Sequence, residues 1–240
     1  MQTQPEVLWP GGPVFYQAEY ARLTTDTVLL ADFAAVQGRQ KGADLGCASG
    51  ALMLLLLWRE QGLHMTGLEL NPDAAALAVE NLRQNGLFSR GSILCGDMRQ
   101  TVQNLRNGSF DFVISNPPYY EPSRGPCPDH PERASARTEL GCSLDGVCRV
   151  ASRLCRSGGK VFLSYRAEGL TRLLETMSRS HLEPKRLRFV HHSPDKAASL
   201  VLAEGRKDGN PGLVTEAPLL LHTADGNETG EYRKILHLDG

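Results

Sequence analysis

The 240-residue chain lacks several features that would direct it to a membrane or to an oxidising compartment. Its longest apolar run, residues 51–58, is too short to span a bilayer, and its first ten residues show no basic and apolar signal segment. None of the six cysteines belongs to a C-x-x-C pair, and the formal net charge is only -1. We therefore expect a cytoplasmic, thiol-reduced protein in which any nucleic-acid contact depends on a local basic patch.

The composition is that of an ordinary globular chain, with 41% hydrophobic and 22% charged residues. Short apolar runs alternate with helical patterns from about residue 40 onward, which predicts a parallel sheet with connecting helices. We predict strands at 42–45, 64–70, 92–95, 110–115 and 161–165. Later strands at 186–191 and 198–203 flank a Ser-Pro-Asp turn and predict an antiparallel hairpin. Helices are expected at 51–61, 72–84, 98–105, 138–155 and 168–180.

A glycine-rich turn, Asp44-Leu45-Gly46-Cys47-Ala48-Ser49-Gly50, leads from the first of these strands into a helix. Glycine lets the backbone pass close to a ligand, and the amides of a helix N-terminus face an anion. An acid before the first glycine fits the D-x-G-x-G-x-G turn of methyltransferases better than the dinucleotide pattern G-x-G-x-x-G. Ala48 stands where that turn usually has glycine, and its methyl group is tolerable if its φ is negative. We predict cofactor contacts from Asp44, Gly46, Cys47 and Gly50.

Acidic residues also follow the next two strands. Glu69 stands near the end of the second strand, followed by Leu70, and its carboxylate can accept hydrogen bonds from both hydroxyls of a ribose. Asp97 stands just past the third strand and can accept from an adenine amino group, while Met98 offers its amide and a packing surface. Ligands of open α/β sheets bind at the carboxyl ends of the strands. Three acids at successive strand ends therefore predict a ligand that contains adenosine.

The most specific segment is Asn116-Pro117-Pro118-Tyr119, which follows the strand at 110–115. An exocyclic amine of adenine is a weak nucleophile because its lone pair is delocalised into the ring. Two acceptors that take its hydrogens favour a tetrahedral nitrogen, and the Asn116 side-chain oxygen and the Pro117 carbonyl can serve, since neither needs a pKa near neutrality. Pro118 stiffens the turn, and Tyr119 can stack on a planar target. We predict that Asn116, Pro117 and Tyr119 are catalytic and that Asn116 also borders the cofactor.

Together, the glycine-rich turn and Asn116-Pro117-Pro118-Tyr119 resemble the amino-methyltransferases that act on adenine, cytosine, guanine or glutamine amides. More closely, the chain is similar to the bacterial family of tRNA1(Val) (adenine(37)-N6)-methyltransferases. The similarity extends to Thr25-Asp26-Thr27-Val28-Leu29-Leu30, to Ala136-Arg137-Thr138-Glu139 and to residues 184–191. It implies an α/β, Rossmann-like sheet of seven strands, S-adenosyl-L-methionine as the cofactor, and N6 of an adenine in the anticodon region of a tRNA as the target.

We divide the chain into residues 1–40, which pack on the cofactor site, 41–206, the methyltransferase domain, and 207–240, an extension of that domain. Asp26 is expected to cap a helix at 27–35, and by resemblance its segment borders the methionine end of the cofactor. Residues 205–240 are polar and rich in glycine, and only 218–222 has the pattern of a strand.

Methylation of a nucleobase requires a base that leaves its stack or already lies exposed in a loop. Tyr119 and Tyr120 can supply a stacking surface for it. Phosphate contacts are expected from basic residues of the proline-rich segment after Pro117 and of the strand at 186–191, although an ion pair within the protein explains each arginine equally well. These residues are Arg124, Arg137, Lys185, Arg186 and Arg188.

Two other functions stay open. A protein glutamine N5-methyltransferase faces the same NH2 chemistry, but such enzymes usually carry a helical domain ahead of the catalytic one, and only about 40 residues precede the first strand here. A non-catalytic cofactor- or RNA-binding module is conceivable because Ala48 departs from the glycine pattern. Cys127, His130 and Cys142 have ligand-like spacing without an obvious fourth ligand, so we expect no metal.

Overall fold

A mixed sheet organises the residues that the computed structural model describes, 5–117 and 143–238. Its seven long strands lie in the order β8-β9-β7-β6-β3-β4-β5, and the two-residue strands β10 (Val214–Thr215) and β11 (Leu219–Leu220) pair with β8. The long strands are β3 (Lys41–Leu45), β4 (His64–Glu69), β5 (Gly91–Cys95), β6 (Phe110–Ser115), β7 (Cys155–Arg166), β8 (Leu182–His191) and β9 (Ala198–Lys207).

The strands β3 to β7 are parallel to one another, whereas β9 runs antiparallel to both β7 and β8. The predicted α/β sheet and its C-terminal antiparallel hairpin are therefore confirmed. The hairpin is longer than predicted because its ladder extends from Leu182, opposite Lys207, to His191, opposite Ala198. Its second strand, β9, lies inside the sheet between β7 and β8.

Helices cover both faces of the sheet and bury one apolar core on each. One face carries α1 (Thr25–Phe33), α2 (Ala51–Arg59), α3 (Pro72–Gln84) and α7 (Gly230–Ile235), and the other carries α4 (Met98–Thr101), α5 (Leu144–Leu154) and α6 (Leu170–Arg179). All residues from 51 to 57 are buried, so α2 packs apolar side chains in every direction. Among the described residues, no helix is long and apolar enough to cross a membrane.

The boundary between α5 and β7 differs from the prediction. The helix ends at Leu154 and β7 begins at once with Cys155, although the strand was predicted to begin only at residue 161, after Ser157-Gly158-Gly159. Gly158 takes a φ of 73°, and the ladder with β6 shifts register between Phe110 and Phe112. The glycines therefore form an irregularity within a strand, which a local glycine pattern does not distinguish from a turn.

Both ends of the chain contain elements that the sequence did not predict. A short hairpin pairs β1 (Glu6–Val7) with β2 (Val14–Phe15), and α7 buries Tyr232 and Ile235 within the polar tail. The expectation that Asp26 caps α1 is wrong, because the cap is Thr24, whose side chain accepts from the amide of Thr27. Asp26 lies in the first turn, where a carboxylate is favoured by the helix dipole.

The side chain of Asn81 in α3 forms hydrogen bonds both with the N-terminal segment and with the glycine-rich turn. Its side chain is 1% exposed, accepts from the Tyr16 amide at 2.7 Å, and donates to the carbonyls of Tyr16 and Ser49, both at 2.9 Å. Ser49 in turn donates its hydroxyl to the carbonyl of Ala21 at 2.9 Å. Residues 16–21 are thereby held against the turn at the end of β3.

We expect Asn81→Ala to lower the free energy of unfolding by roughly 2–4 kcal/mol, because it leaves buried backbone groups of Tyr16 and Ser49 without partners. Urea unfolding followed by circular dichroism measures the change. Gln84→Ala on the same helix is the matched control, since Gln84 is exposed, and it should stay within about 0.5 kcal/mol of the wild type. Equal stabilities of the two variants would contradict this role of Asn81.

Candidate active site

The glycine-rich turn between β3 and α2 contains three residues with left-handed backbone conformation. Gly46, Ala48 and Gly50 have φ values of 75°, 48° and 77°. The methyl group of Ala48 was expected from the sequence to be tolerated if its φ were negative. Its φ is positive, so the residue carries about 1–2 kcal/mol of backbone strain. At Gly50, which precedes α2, an added Cβ would lie 3.1 Å from the Cβ of Ala78. Gly50 is therefore required both by conformation and by packing.

Three hydrogen bonds from the turn to β4 hold this backbone in place. The amides of Gly46 and Cys47 donate to the carbonyl of Leu68 at 2.8 and 3.1 Å. The strained Ala48 donates its amide to the carboxylate of Glu69 at 2.8 Å. The second oxygen of Glu69 accepts from the amide of Asn71, which caps α3, also at 2.8 Å. Glu69 thus connects the turn after β3 with the turn after β4.

Asp44 lies under this turn and is only 2% exposed. One of its carboxylate oxygens, Oδ2, is buried without a hydrogen-bond partner. Burial, together with the negative charge of Glu69, raises the pKa of Asp44 to about 8. Burial also raises the pKa of the Cys47 thiol in the same turn, so this thiol stays neutral. An orphaned buried carboxylate oxygen suits a ligand that brings a positive charge or a hydrogen-bond donor.

Asp97 and Met98 lie at the carboxyl end of the neighbouring strand β5. Asp97 caps α4 and binds Arg99 through both carboxylate oxygens, and the Arg99 hydrogen bond lowers the pKa of Asp97. The Met98 side chain is buried. A small cavity of about 30 Å³ opens here and is lined by Gly46, Leu68, Glu69, Leu70, Gly96, Asp97 and Met98.

A larger cavity of about 270 Å³ lies on the other side of the glycine-rich turn. Gly46 lines both cavities, so they adjoin along the carboxyl edge of the sheet. Among the described residues that line the larger cavity, the positively charged side chain is that of Arg22. Asp26, which was predicted to contact the cofactor, is not among these residues. The lining consists of Glu19, Tyr20, Ala21, Arg22, Thr24, Thr27, Asp44, Gly46, Cys47, Ala48, Ser49, Ala51, Leu52 and Asn116.

Asn116 follows β6 directly and lies in the wall of the larger cavity. The Ser164 hydroxyl donates to its Oδ1 at 2.5 Å, and its Nδ2 donates to the Thr27 hydroxyl at 3.2 Å. Pro117 is buried beside it. The other predicted residues of this segment, Tyr119, Tyr120, Arg124 and Arg137, lie outside the described residues, as do Cys127, His130 and Cys142.

The three cations predicted on β8 are engaged within the protein. Arg186 lies 3.8 Å from the ring centroid of Phe33 and pairs with Glu204 and Glu216 at 2.8 and 2.9 Å. Arg188 pairs with Glu231 at 2.6 Å, and Lys185 donates to the Asn210 carbonyl at 3.1 Å. These contacts hold residues 210–231 against the hairpin. Contact of the three side chains with RNA stays a prediction, and it would require them to share or break these bonds.

Sequence patterns did not indicate a role for Ser164, Thr27 or Asn81, each of which is buried and polar. Ser164 interrupts the apolar strand residues 161–165, which is the one local signal of a polar partner nearby. Neither Thr27 nor Asn81 stands out in its helix, because each contacts residues far away along the chain. Within the part of the chain that is described, no three histidine, cysteine or acidic side chains form a metal-binding group.

The residues at this edge fit S-adenosylmethionine. Its amino acid portion carries an ammonium, which suits the orphaned Oδ2 of Asp44, and a carboxylate, which suits Arg22 and the start of α2, whose residues Ala51 and Leu52 line the larger cavity. Glu69, Leu70, Asp97 and Met98 line the cavity toward which an attached adenosine would extend. The predicted cofactor residues Asp44, Gly46, Cys47, Glu69 and Asn116 all lie in the walls of these two adjoining cavities.

The pKa of Asp44 sets an expectation for stability. A carboxyl whose pKa is about 8 in the folded protein and 3.8 ordinarily holds its proton more tightly when folded. Its contribution to stability is therefore fully present below pH 3.8 and is lost as the pH rises toward 8. We expect the free energy of unfolding of the cofactor-free wild type to fall between pH 6 and pH 9 relative to Asp44→Asn, whose amide does not titrate (roughly 1.4 kcal/mol per pH unit at most).

Urea titrations of both proteins across that pH range test this expectation. The two proteins are compared by the slope of the free energy of unfolding against pH. Its absolute value is not compared, because the substitution of a buried carboxyl by an amide also shifts the stability by a constant amount. Parallel profiles for Asp44→Asn and the wild type would show that Asp44 does not take up its proton on folding.

Solved structures show that the fold is that of methyltransferases. A predicted O-methyltransferase from Agrobacterium tumefaciens superposes with a TM-score of 0.72 at 22% identity, over 89% of this chain and 96% of that one. A geranyl diphosphate methyltransferase in complex with SAM superposes with a TM-score of 0.54 at 14% identity, over 75% of this chain and 84% of the other. At these identities the likeness concerns the fold alone.

Curated relatives carry the name tRNA1(Val) (adenine(37)-N6)-methyltransferase. The protein of Shewanella halifaxensis is 31% identical over 169 residues, which are 70% of this chain and 65% of the relative. That of Shewanella sp. (strain MR-4) is 29% identical over 86% of both chains. That of Escherichia coli is 37% identical over 48% of this chain and 46% of its own length, so the match spans less than two thirds of two of these relatives.

The family described as Methyltransferase small domain matches residues 18–125. This region contains the glycine-rich turn, the acids Glu69 and Asp97, and Asn116 with the two prolines that follow it. The family match thus includes the residues that line the two cavities. Over residues 18–125 the chain is therefore similar to the Methyltransferase small domain family, and bacterial proteins named tRNA1(Val) (adenine(37)-N6)-methyltransferase are among the proteins that it resembles.

Proposed function

We propose that the protein methylates N6 of an adenine in RNA, and that its substrate is the anticodon-loop adenine of a valine-type tRNA. The observation that carries this proposal is the placement of the Asn116 amide in the wall of the cavity that Asp44 and Gly46 also line. The name that the matched relatives carry supports the choice of a tRNA adenine as the target. A substrate of this kind and the free thiols of Cys47, Cys95, Cys148 and Cys155 favour a cytoplasmic enzyme.

Asn116 and Pro117 supply uncharged acceptors for the two hydrogens of the target amine. Their hydrogen bonds favour a tetrahedral nitrogen, whose lone pair then points away from the ring and can attack. The cofactor supplies a methyl group bound to a positively charged sulfur. The methylated amine is acidic enough to lose its proton without a dedicated base, so the residues at this edge hold and orient the amine and do not need to titrate. Tyr119 is proposed to stack on the base.

The three parts of the chain have distinct roles in this proposal. Residues 41–206 hold the cofactor and the Asn116 motif, and residues 1–40 close the methionine end through Tyr20, Ala21 and Arg22. Residues 207–240 complete the domain, because Tyr232 and Ile235 pack into the same apolar core as α1 and α2. The basic residues Arg124 and Arg137, with Lys185, Arg186 and Arg188, remain the proposed phosphate contacts.

The function is tested by incubation of the protein and labelled cofactor with RNA, DNA and protein from a strain that lacks the gene. Nucleoside mass analysis of the labelled fraction identifies the product. N6-methyladenosine in tRNA is the expected result. Label in a protein fraction alone would replace this proposal with glutamine methylation, and label in ribosomal RNA would overturn the choice of tRNA.

In the same assay we expect Asn116→Ala to lose at least about two orders of magnitude in kcat, because it removes one of the two acceptors of the target amine. Its affinity for the cofactor, measured by calorimetry, should stay close to that of the wild type. Asn104→Ala is the control, since Asn104 is exposed and lies in neither cavity. Normal turnover by Asn116→Ala would rule out the role given to this amide.

Arg22 is expected to bind the carboxylate of the cofactor. We predict that Arg22→Gln weakens the affinity for S-adenosylmethionine about 10-fold or more, since a charge-assisted hydrogen bond contributes roughly 1.5–3 kcal/mol. Calorimetry with the cofactor alone measures the change without any turnover. Arg83→Gln serves as the control, because Arg83 pairs with Glu80 on the exposed side of α3. An unchanged dissociation constant for Arg22→Gln would assign the carboxylate to the α2 amides instead.

A further inference from the structure

Ser164 is a fully buried hydroxyl near the carboxyl end of β7, within the buried residues 161–165. It is 0% exposed, and its neighbours in β7, Phe162 and Leu163, are also fully buried. A hydroxyl in such surroundings is costly unless it forms a hydrogen bond. Ser164 meets this requirement by donating to Oδ1 of Asn116 at 2.5 Å, which is a short distance for a hydroxyl donor.

The parallel register of β6 and β7 creates this contact. Ser115 at the end of β6 lies opposite Leu163, so the next residues along the two strands, Asn116 and Ser164, are neighbours at the carboxyl edge of the sheet. Ser115 itself donates to the Leu45 carbonyl of β3 at 2.7 Å. The backbone that carries Asn116 is therefore tied to β3 on one side and to β7 on the other.

A second hydroxyl holds the other end of the Asn116 amide. Its Nδ2 donates to Oγ1 of Thr27 at 3.2 Å, and Thr27 lies 3.0 Å from the hydroxyl of Thr24, the cap of α1. Ser164 and Thr27 thus hold the amide from β7 and from α1. The final side-chain torsion of asparagine is broad when nothing restrains it, and one bond at each end of the amide confines it.

We infer that Ser164 is a positioning residue for methyl transfer, because it holds the acceptor oxygen of Asn116 at the angle from which the target amine is bound. This inference rests on the proposed function of Asn116. An amide oxygen can accept two hydrogen bonds, so donation from Ser164 is compatible with a second donation from a substrate amine. The benefit is orientation that exists before the substrate arrives, and misplacement of a reacting group by about 1 Å can cost roughly 100-fold in rate.

The variants Ser164→Thr and Ser164→Val form a matched pair for this test. Their side chains have the same shape, so any cost of an added methyl group in the buried strand is common to both, and only Thr keeps the hydroxyl. We expect kcat of Ser164→Val to lie about 10- to 100-fold below that of Ser164→Thr. We expect KM for tRNA, the calorimetric affinity for S-adenosylmethionine and the unfolding midpoint to agree between the two variants within about 2-fold or a few degrees.

Equal kcat values for a folded Ser164→Thr and Ser164→Val would overturn the inference. A difference that appears in unfolding or in cofactor affinity, with kcat unchanged, would also overturn it and leave Ser164 as a structural residue. If neither β-branched variant folds, Ser164→Ala is compared with the wild type in the same measurements, and a selective loss of kcat is again required. If wild-type protein labels a substrate other than tRNA, the proposed target is wrong, and the same pair of variants on that substrate still decides the role of Ser164.

Discussion

The parallel register of neighbouring strands is the constraint on which the whole site depends. Hydrogen bonds align Leu45 with Leu68, Asp44 with Ile114, and Ser115 with Leu163, so β3, β4, β6 and β7 all end at one edge of the sheet. The backbone pairing of the strands is what brings the residues at their ends together, and contacts between those side chains are a result of it. A slip of two residues in one ladder would keep the apolar faces buried but would separate Asn116 from Ser164 by about 6–7 Å. The chemistry of the site is thus a consequence of backbone pairing in the core.

The turn after β3 combines strain, burial and charge in a few residues. Of the three left-handed backbone positions, Gly46 is held by the Leu68 carbonyl and Ala48 by the Glu69 carboxylate, while the Gly50 amide donates to the Cys47 carbonyl. Asp44 is buried below them with an orphaned oxygen, which is unfavourable in the cofactor-free protein. Strain and unsatisfied polar groups of this kind persist where the surrounding structure over-determines them, and they concentrate at ligand sites. A cofactor that carries positive charge would relieve the burial cost of Asp44, and this relief would favour its binding.

Local patterns in the sequence were sufficient to place Asp44, Glu69, Asp97 and Asn116 at one edge of the sheet. Each lies at or just after the end of a recognisable strand, and parallel strands end at a common edge. Contacts between distant segments were not predictable in this way. The bond from Ser164 to Asn116 joins residues 48 apart and that from Asn116 to Thr27 joins residues 89 apart, and both depend on the register and on the seating of α1. Helix α7 was missed because its six residues bury only Tyr232 and Ile235, which is too little to form a periodic pattern. The positive φ of Ala48 follows from the turn as a whole, against the preference of the residue itself.

The site separates groups that titrate from groups that do not. Carboxylates lie at the carboxyl ends of β3, β4 and β5, in the walls of the cavities assigned to the cofactor, whereas the residues at the ends of β6 and β7 offer an amide and a hydroxyl. A cationic ligand is best bound by carboxylates, since charge attraction is strong where water is excluded. A neutral amine must develop positive charge on its nitrogen, and it is better bound by acceptors whose protonation does not change with pH. A base strong enough to remove the proton of the amine would itself be protonated part of the time. In the proposed function, a change of pH near neutrality acts at this site through Asp44, whose pKa is raised to about 8, whereas the Asn116 amide and the hydroxyls of Ser164 and Thr27 do not titrate.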